Sequence, residues 1–544
     1  STRILYDKYI WIHVKYSKML NNYNIKNQLN TIIEEVVMKV FIIAFILSIL
    51  SIGNIQASKN EVLTVGMNEL VSSLDPPTDW AIASTWVHMN LFDCLVWRNR
   101  KTADFEPWLA TELSNVSPTK WNIKLRKNVV FHNGEGFNAD AVKWTYERIT
   151  SSSRDKFITF KQWTFIKEIQ KISDHEINII TQNPEPAFLS KMAGTGCGIQ
   201  APIAGKKNQN AGKYMPIGTG PYKLDEFKKD DFISMNVNEN YWQRTPDVEK
   251  IIWRAIPESS TRIANLLTED VDVTIGVPPQ DWDRINSTGY ASVDEYLTTR
   301  VMLLVLRTGP SKKNPDWTGV TSNKKIREAI KYAIDRKLIM EVIQNMGVPS
   351  ISRITPPTLG WDKQFYNIFG EYNPEKAKKL IKDSGYDGTP LVMHSSSSYL
   401  MQKEVAEIVA SMLNAVGLKI DLRVMDVTTF REQVYYPYKN QDIYMDALGN
   451  SFFDPWIAVL SFRSDRRERT GWSGSSADKV DKLIRSAAVN MNPKNRANEY
   501  IEMQKIIVED GPMVPLYQMK DALGKNKRVK WDMPLDGFLW FGDA

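Results

Sequence analysis

The side chains of this chain that could do chemistry are mostly hydroxyls, amides and aromatic rings. The most obvious candidate nucleophiles are the serines of the run Ser395–Ser398. This run lacks the G-x-S-x-G pattern that exposes a nucleophilic serine on a strand-to-helix turn, and no histidine–aspartate pairing is indicated nearby. The five histidines are scattered, and the His/Cys/carboxylate spacing of a zinc site is absent. These residues therefore predict no catalytic residue, no metal and no cofactor.

A glycine-rich segment, Pro216–Tyr222 (PIGTGPY), is the one candidate for a phosphate-binding loop. It has neither the G-x-x-x-x-G-K-[ST] pattern nor a helical pattern after it. Two glycines with a proline instead favour a tight turn. We therefore expect this segment to reverse the chain direction as the chain returns from a subdomain.

The composition is that of an ordinary globular protein long enough for two lobes. The chain has 544 residues, of which 43% are apolar and 24% charged. Its formal charge of +6 is small for this length and does not suggest a nucleic-acid partner. The 17 tryptophans and 21 tyrosines supply large, rigid surfaces for ligands, although most such residues serve the core.

The N-terminal region has the pattern of a secretory signal. Met38 and Lys39 precede an apolar run, Val40–Ile52, and a small residue suited to cleavage, Ala57, follows. The run is shorter than the ~20 apolar residues that span a bilayer. We predict a signal peptide at 38–57 and interpret residues 1–37 as a non-native or mis-called extension. The alternative is a cytoplasmic tail with a membrane anchor.

The elements that must position the candidate side chains have recognisable patterns. Trp121, Ile123 and Leu125 alternate with polar residues, which is the period of a half-buried strand. We predict a second short strand at Val129–Phe131, a glycine turn, and then a helix capped by Asn138.

Two later segments are also clear. The dense apolar run Arg300–Arg307 predicts a buried strand. Apolar residues at positions 326, 329, 330, 333 and 334 lie at helical spacing.

The stretch that begins at Leu109 closely resembles the signature of the extracytoplasmic peptide-binding proteins of ABC importers, the dipeptide, oligopeptide and nickel-binding group. The match is long and gapless, with one departure, Ala141-Val142, where the family has Asp-Val. The matching residues are Leu109, Ala110, Ser114, Leu125, Arg126, Val129, Phe131, His132, Gly134, Phe137 and Ala139.

Further motifs extend the resemblance over roughly Glu61 to Tyr517. Pro216–Tyr222 resembles the family's P-V-G-T-G-P-Y, Asn240–Trp242 resembles N-x-x-Y-W, and Lys325–Arg336 resembles a family helix. The resemblance implies an α/β, two-lobe periplasmic-binding-protein fold with an additional subdomain in the first lobe and a hinged ligand cleft. The implied first lobe comprises 58–101, 215–305 and 515–544, with the subdomain at 102–214 and the second lobe at 306–514.

The resemblance implies a periplasmic substrate-binding protein that captures a peptide or peptide-like solute and delivers it to ABC transporter permease subunits in the inner membrane. Such a protein is not an enzyme, binds no nucleic acid and acts as a monomer. The alternatives on the same scaffold are a binder of an oligosaccharide, an opine-type conjugate, haem or glutathione, or a peptide-binding chaperone.

Two departures bear on the ligand. Family members that bind short peptides hold the α-ammonium with an aspartate four places before a proline, and here Ser451 stands four places before Pro455. The arginine that holds the carboxylate falls at about Ser396. A neutral hydroxyl cannot offset the burial of a charge, and Asp446 or Asp454 could substitute only if the loop is shifted.

The lost charges favour a neutral polyhydroxylated ligand or a blocked or modified peptide over a small zwitterionic peptide. We expect Trp80 or Trp472 to stack on the ligand. The predicted ligand-binding residues are Trp80, Ala81, Ile82, Ala83, Ser396, Tyr399, Gly449, Asn450, Ser451, Phe452, Asp454 and Trp472.

The two cysteines leave their pairing open. Cys94 replaces a glycine of the family pattern and lies in an apolar segment, so we interpret it as a small core residue. An oxidising compartment would also permit a disulfide with Cys197.

Overall fold

The computed structural model describes residues 62–79, 81–150, 160–210, 216–435, 442–450, 452–535 and 537–544. The predicted extension 1–37 and signal peptide 38–57 lie outside these residues. The chain from Leu63 to Ala544 forms one unit. Within the described ranges, no helix is long and apolar enough to cross a bilayer.

The framework consists of β-strands that belong to three sheets. In chain order the strands are β1 (Val62–Met67), β2 (Val96–Arg98), β3 (Phe105–Pro107), β4 (Ala110–Ser117), β5 (Lys120–Leu125), β6 (Ile166–Ser173), β7 (Glu176–Thr181), β8 (Tyr222–Lys228), β9 (Phe232–Val237), β10 (Lys250–Ala255), β11 (Val273–Ile275), β12 (Ala291–Leu306), β13 (Gly347–Pro349), β14 (Leu391–Ser396), β15 (Ile420–Met425), β16 (Ile443–Leu448) and β17 (Met513–Asn526).

Helices alternate with these strands along most of the chain, which confirms the α/β class. In chain order the α-helices are Ile82–Leu91, Ala139–Thr150, Phe160–Trp163, Phe188–Met192, Pro202–Asn210, Ser259–Leu267, Trp282–Asn286, Lys324–Ala333, Arg336–Val342, Gln364–Phe369, Pro374–Asp383, Gln402–Ala415, Val427–Phe430, Pro455–Val459, Ser475–Ala487 and Pro493–Asp510.

The largest sheet has the strand order β15-β14-β16-β12-β17-β11-β1-β10-β9-β8, and β13 pairs with β17. Its two longest strands, β12 and β17, are antiparallel and lie side by side in the middle. The strands of the predicted second lobe lie on one side of this pair and those of the predicted first lobe on the other. A separate four-stranded sheet, β4-β5-β7-β6, falls within the predicted subdomain. The exact domain boundaries stay a prediction.

The hairpin-and-helix prediction is largely confirmed. Trp121, Ile123 and Leu125 are the buried residues of β5. The Asn138 side chain accepts hydrogen bonds from the backbone N–H groups of residues 140 and 141 and caps the helix as expected. The second strand is wrong, because Val129–Phe131 forms only an isolated bridge between Val130 and Gly136.

The apolar run at Arg300 forms the second half of β12, and its composition follows from burial on both faces. Met302, Leu304 and Leu306 lie in one hydrophobic core. Leu303 and Val305 point to the opposite face and lie in another. A strand that is covered on both sides needs apolar residues at every position, which explains the absence of polar alternation. The predicted buried strand is confirmed, although β12 begins nine residues earlier, at Ala291.

A buried carboxylate joins several signature segments. Asp93 accepts hydrogen bonds from the indole N–H of Trp108 at 2.8 Å, the hydroxyl of Thr219 at 2.9 Å, the hydroxyl of Tyr241 at 3.1 Å and the indole N–H of Trp242 at 2.9 Å. Burial raises the pKa of Asp93, and these four donors oppose the rise. The segments that carry the family motifs therefore meet at this one carboxylate.

The glycine-rich segment is a structural turn, as expected. A side chain at Gly220 would lie 2.5 Å from the backbone carbon of Leu91, so the close approach requires glycine. The Gly220 carbonyl also contacts Nε2 of His132 at 3.0 Å. Burial lowers the pKa of His132 to about 4, which favours the neutral ring at this contact. His132 thus fixes the turn.

The interpretation of Cys94 as an unpaired core residue is wrong. Cys94 and Cys197 form a disulfide with a Cα–Cα distance of 5.4 Å and a sequence separation of 103 residues. The bond attaches the segment that carries Asp93 to the end of the predicted subdomain.

We expect the double substitution Cys94→Ala with Cys197→Ala to lower the free energy of unfolding by about 2–4 kcal/mol, because the cross-link no longer restricts the unfolded chain. Urea unfolding of both proteins, with and without reductant, measures the difference. Reductant must shift the wild-type midpoint and leave the variant unchanged. An unshifted wild type would show that the disulfide does not stabilise the fold.

Candidate ligand-binding site

The predicted residues that follow β14 lie at its carboxyl end. Ser396 is buried, and its hydroxyl lies 2.8 Å from that of Ser398 and 3.3 Å from the Gln402 side-chain oxygen. The Tyr399 hydroxyl donates to the Ala447 carbonyl at 3.3 Å. The β14 loop therefore contacts the carboxyl end of β16, just before the second predicted loop.

The loop after β16, in the predicted second lobe, packs against the predicted subdomain. Gly449 is exposed, whereas Asn450 and Phe452 are buried. The Phe452 carbonyl accepts a hydrogen bond from Ser190 at 2.9 Å. Its ring lies so close to Gly194 that a side chain there would overlap it. This contact holds the loop in a defined position.

Asp454, at the end of the same loop, has a structural role. The two terminal nitrogens of Arg496 donate to its two carboxylate oxygens at 2.8 and 2.7 Å, and the pair is almost fully buried. One carboxylate oxygen also caps the helix Pro455–Val459 by accepting from the Trp456 backbone N–H. Asp454 is thus engaged within the protein.

Trp472 is a core residue, with only 2% of its surface exposed. Its indole N–H donates to Asp510 at 2.5 Å, and its ring packs edge-on against Phe462. Stacking of this ring on a ligand stays a prediction. The buried position of the ring does not favour it. Trp80 and Ser451 lie outside the described residues.

The residues after Trp80 begin the helix Ile82–Leu91. Ala81 is its N-cap position, Ile82 is 40% exposed and Ala83 is buried. The Asp79 carboxylate orders this turn by accepting hydrogen bonds from the Ala81 N–H at 2.8 Å and from the Ser84 hydroxyl at 2.6 Å. Ile82 therefore offers apolar surface at a defined helix end.

Beside the two loops lies a set of charged side chains that the sequence analysis did not identify as a site. It consists of Arg300, Arg353, Asp446 and Arg469, called the charged cluster below. All three guanidiniums act electrostatically on the Asp446 carboxylate. Asp446 had been considered as a substitute acid, but no local pattern pointed to the three arginines.

The strands of the central sheet position two members of the cluster. Asp446 lies on β16 opposite Leu303 of β12. Arg300 lies on β12 beside the register shift between Leu297 and Val301. The cluster therefore adjoins the pair of long strands that links the predicted lobes.

Tyrosine rings support two of the guanidiniums. The central carbon of Arg300 lies 5.2 Å from the centroid of the Tyr399 ring. Arg469 lies 4.3 Å from the Tyr435 centroid and donates to its hydroxyl at 2.5 Å. Such contacts restrict the arginines while leaving charge for further interactions.

Burial dominates the electrostatics of the cluster. Burial raises the pKa of Asp446 to about 6, and the three guanidiniums only partly oppose this effect. Among the described residues, no basic nitrogen lies within 4 Å of its carboxylate. Burial, with repulsion from Arg469, lowers the pKa of Arg353 to about 10. Both groups would be stabilised in their charged forms by an opposite charge.

Two polar side chains next to the cluster have buried atoms for which the described residues provide no hydrogen-bond partner by geometry. The Tyr444 hydroxyl and both polar atoms of the Asn450 amide are unsatisfied, and these residues are 2% and 1% exposed. Buried polar groups are almost always paired in folded proteins, so such exceptions require an explanation. A polar ligand held by the neighbouring cluster provides one.

The arrangement suits recognition of charged polar groups. A carboxylate can hold an ammonium, and guanidiniums can hold carboxylates by two parallel hydrogen bonds. Within the described part of the chain, no group of three or more histidine, cysteine or acidic side chains is placed to hold a metal ion. Sequence patterns missed this site because its members come from four distant segments.

Replacing Asp454 by Asn should lower the free energy of unfolding by about 3–5 kcal/mol, because Arg496 is left buried without its counter-charge. Asparagine still caps the helix, so the substitution isolates the ion pair. The matched control is Glu502→Gln, which breaks the exposed pair with Lys479 and should cost at most about 1 kcal/mol. Equal urea midpoints for the two variants would contradict the structural role of Asp454.

Replacing Asp446 by Asn should stabilise the ligand-free protein at pH 7.5 by about 2 kcal/mol. The folded-state pKa of Asp446 is raised, so its contribution to stability is present below about pH 4 and is lost as the pH rises through about 6. The gain of the variant should therefore vanish near pH 4.

Urea unfolding at pH 4, 5, 6 and 7.5 measures the Asp446→Asn profile. Asp421→Asn, at an exposed pair with Arg423, is the matched control and should show no comparable rise. A loss of stability at pH 7.5 would show that Asp446 is paired within the ligand-free protein.

Comparison with known proteins identifies the scaffold. The model of the bacterial extracellular solute-binding proteins, family 5, matches residues 104–469. The glutathione-binding protein GsiB of Escherichia coli is 26% identical over 437 residues, covering 78% of this chain and 82% of the relative. The GsiB protein of Salmonella choleraesuis matches with the same identity and coverage.

Solved structures share the fold. The dipeptide-binding protein of Pseudoalteromonas in complex with Met-Leu has a TM-score of 0.76 at 21% identity, covering 89% of this chain and 99% of its own. DppA of Helicobacter pylori in complex with the peptide STSA has a TM-score of 0.73 at 23% identity, covering 88% and 97%.

These matches confirm the two-lobe periplasmic-binding-protein fold and the resemblance found in the sequence. Family and fold are those of solute-binding proteins rather than enzymes. The chain belongs to the bacterial extracellular solute-binding proteins of family 5.

Proposed function

We propose that this protein captures a peptide or peptide-like solute in the periplasm and delivers it to the permease of an ABC importer. The observation that carries the proposal is the charged cluster, in which an acid and several guanidiniums adjoin the strands that link the lobes. A peptide presents an ammonium, a carboxylate and amide groups, and each finds a chemical partner here.

The cluster compensates for the two charges that are missing from the family positions. Asp446 takes the role of the ammonium acceptor in place of Ser451. Arg300 takes the role of the carboxylate donor in place of Ser396, whose hydroxyl is engaged with Ser398 and Gln402. An ammonium next to Asp446 would also restore the charged form of this acid, because an opposite charge opposes the effect of burial.

Capture requires that the cleft can close. The long strands β12 and β17 are the continuous link between the predicted lobes, and their register shifts at Leu297–Val301, next to Arg300. A ligand that contacts Arg300 and the loop after β16 would join both sides of this hinge. Closure around a bound solute is the usual mode of hinged two-lobe proteins.

Several further features complete the proposal. The protein is exported by the signal peptide at 38–57 and acts as a monomer. Its lobes are 58–101 with 215–305 and 515–544, and 306–514, with the subdomain at 102–214. Its macromolecular partners are the permease subunits. Glutathione, named for the GsiB relatives, falls within the proposed class of peptide-like solutes.

Native mass spectrometry of the protein purified from cells tests the proposal. We expect a retained solute whose fragments are amino acids, because closure around the ligand slows its release. Protein that has been unfolded, dialysed and refolded is the control and should be empty. A retained hexose series or haem would contradict the proposal and favour one of the other ligand classes.

A further inference from the structure

The charged cluster contains more positive than negative groups. Three guanidiniums, those of Arg300, Arg353 and Arg469, act electrostatically on the single carboxylate of Asp446. Among the described residues, Asp521 and Arg262 lie next to Arg300, and Arg431 acts on Tyr399, whose ring supports Arg300. These neighbours add two positive charges and one negative charge, so positive charge remains in excess around Asp446.

Two buried arginines elsewhere in the protein are paired with a carboxylate. Arg148 pairs with Asp75, and Arg327 pairs with Asp510, each at 3.0 Å or less. Arg336 is held by the carbonyls of residues 350 and 515. Folding normally provides such partners, because an unmatched buried cation is costly.

Arg300 and Arg353 of the cluster are partly buried and lack a carboxylate partner in the described part of the chain. Among the described residues, neither Arg300 nor Arg353 has a carboxylate oxygen within 4 Å. Arg353 donates one hydrogen bond to the Ala458 carbonyl at 2.8 Å, while its buried Nε has no partner. Arg300 packs on the ring of Tyr399. Their charges are available to anionic groups that come from outside the chain.

The unsatisfied groups beside the cluster add donors of the same kind. The Tyr444 hydroxyl and the Asn450 amide N–H₂ can both donate to a carboxylate, and both are more than nine-tenths buried. These donors lie next to Asp446. The guanidiniums that lack a carboxylate partner adjoin the same acid.

We infer that the solute carries two carboxylates and one ammonium, so that the site selects acidic peptides over neutral ones of the same size. The inference rests on the proposed function and names the class of peptide. Asp446 holds the ammonium, one carboxylate is bound at Arg300, and the second is bound at Arg353 and Arg469. A neutral peptide would leave one guanidinium without a counter-charge.

Two kinds of short peptide present these groups. In an acidic peptide the second carboxylate belongs to a glutamate or aspartate side chain. In a γ-glutamyl peptide it is the α-carboxylate beside the ammonium. The tripeptides Glu-Ala-Gly and γGlu-Ala-Gly represent the two kinds, and Gln-Ala-Gly is the matched neutral probe.

Titration calorimetry with refolded, ligand-free protein tests the inference. We expect at least one acidic tripeptide to bind about tenfold or more tightly than Gln-Ala-Gly, since each differs from it by one charge-assisted contact. The acidic probe that binds more tightly shows whether the second carboxylate is a side chain or an α-carboxylate. Equal or tighter binding of Gln-Ala-Gly would overturn the inference and leave the proposed function intact.

Substitutions of the arginines test whether the charged cluster produces the preference for acidic tripeptides. Arg353→Gln should reduce the preference for the acidic probe to below threefold, and Arg353→Lys should restore part of it. Arg300→Gln should weaken all three probes alike and keep the preference, because every probe carries the carboxylate that Arg300 binds. Arg423→Gln, at an exposed pair away from the cluster, should retain the full preference. A preference that survives in both Arg353→Gln and Arg469→Gln would also overturn the inference. Absence of binding by all three probes, with a non-peptide solute in the native mass spectrum, would instead refute the proposed function itself.

Discussion

The scaffold depends on the buried carboxylate of Asp93. A carboxylate in an apolar interior is tolerated only when its oxygens are fully hydrogen-bonded. Trp108, Thr219, Tyr241 and Trp242 supply those donors from segments far apart in the chain. Loss of any one donor would leave charge uncompensated, so the segments must assemble together. The neighbouring disulfide then attaches the end of the predicted subdomain to the same point.

This assembly also determines the position of one side of the candidate site. The backbone N–H of Ile199 donates to the Asp93 carbonyl, and Cys197, two residues earlier, carries the disulfide. The adjoining segment presents Ser190 and Gly194 to Phe452 in the loop after β16. The position of that loop, and with it Asn450, therefore follows from contacts between Phe452 and the predicted subdomain. The structural motifs and the candidate ligand-binding residues are far apart in the sequence, but these contacts connect them in the folded protein.

Sequence reasoning recovered the parts of this molecule that local chemistry determines. The strand containing Trp121, the cap at Asn138 and the buried run of β12 follow from periodicity and capping preferences, and all are confirmed. Cys94 was misinterpreted because its partner is 103 residues away. Arg353 and Arg469 were missed for a similar reason. They come near Asp446 only in the folded protein, and no sequence pattern links them to it.

In the candidate loops, a residue's position in the alignment does not by itself determine whether it is available to a ligand. Ser396, Tyr399 and Asn450 were predicted from alignment to the family, and they lie beside the charged cluster. Asp454 was predicted from the same loop as Asn450, and Trp472 as a ring that stacks on the ligand, yet Arg496 and Asp510 engage them inside the protein. Whether an acid serves a ligand or the fold depends on the presence of an internal partner. Asp446 accepts a hydrogen bond from the Ala447 backbone N–H but has no basic nitrogen within 4 Å among the described residues. An ammonium group of a ligand could therefore supply its counter-charge.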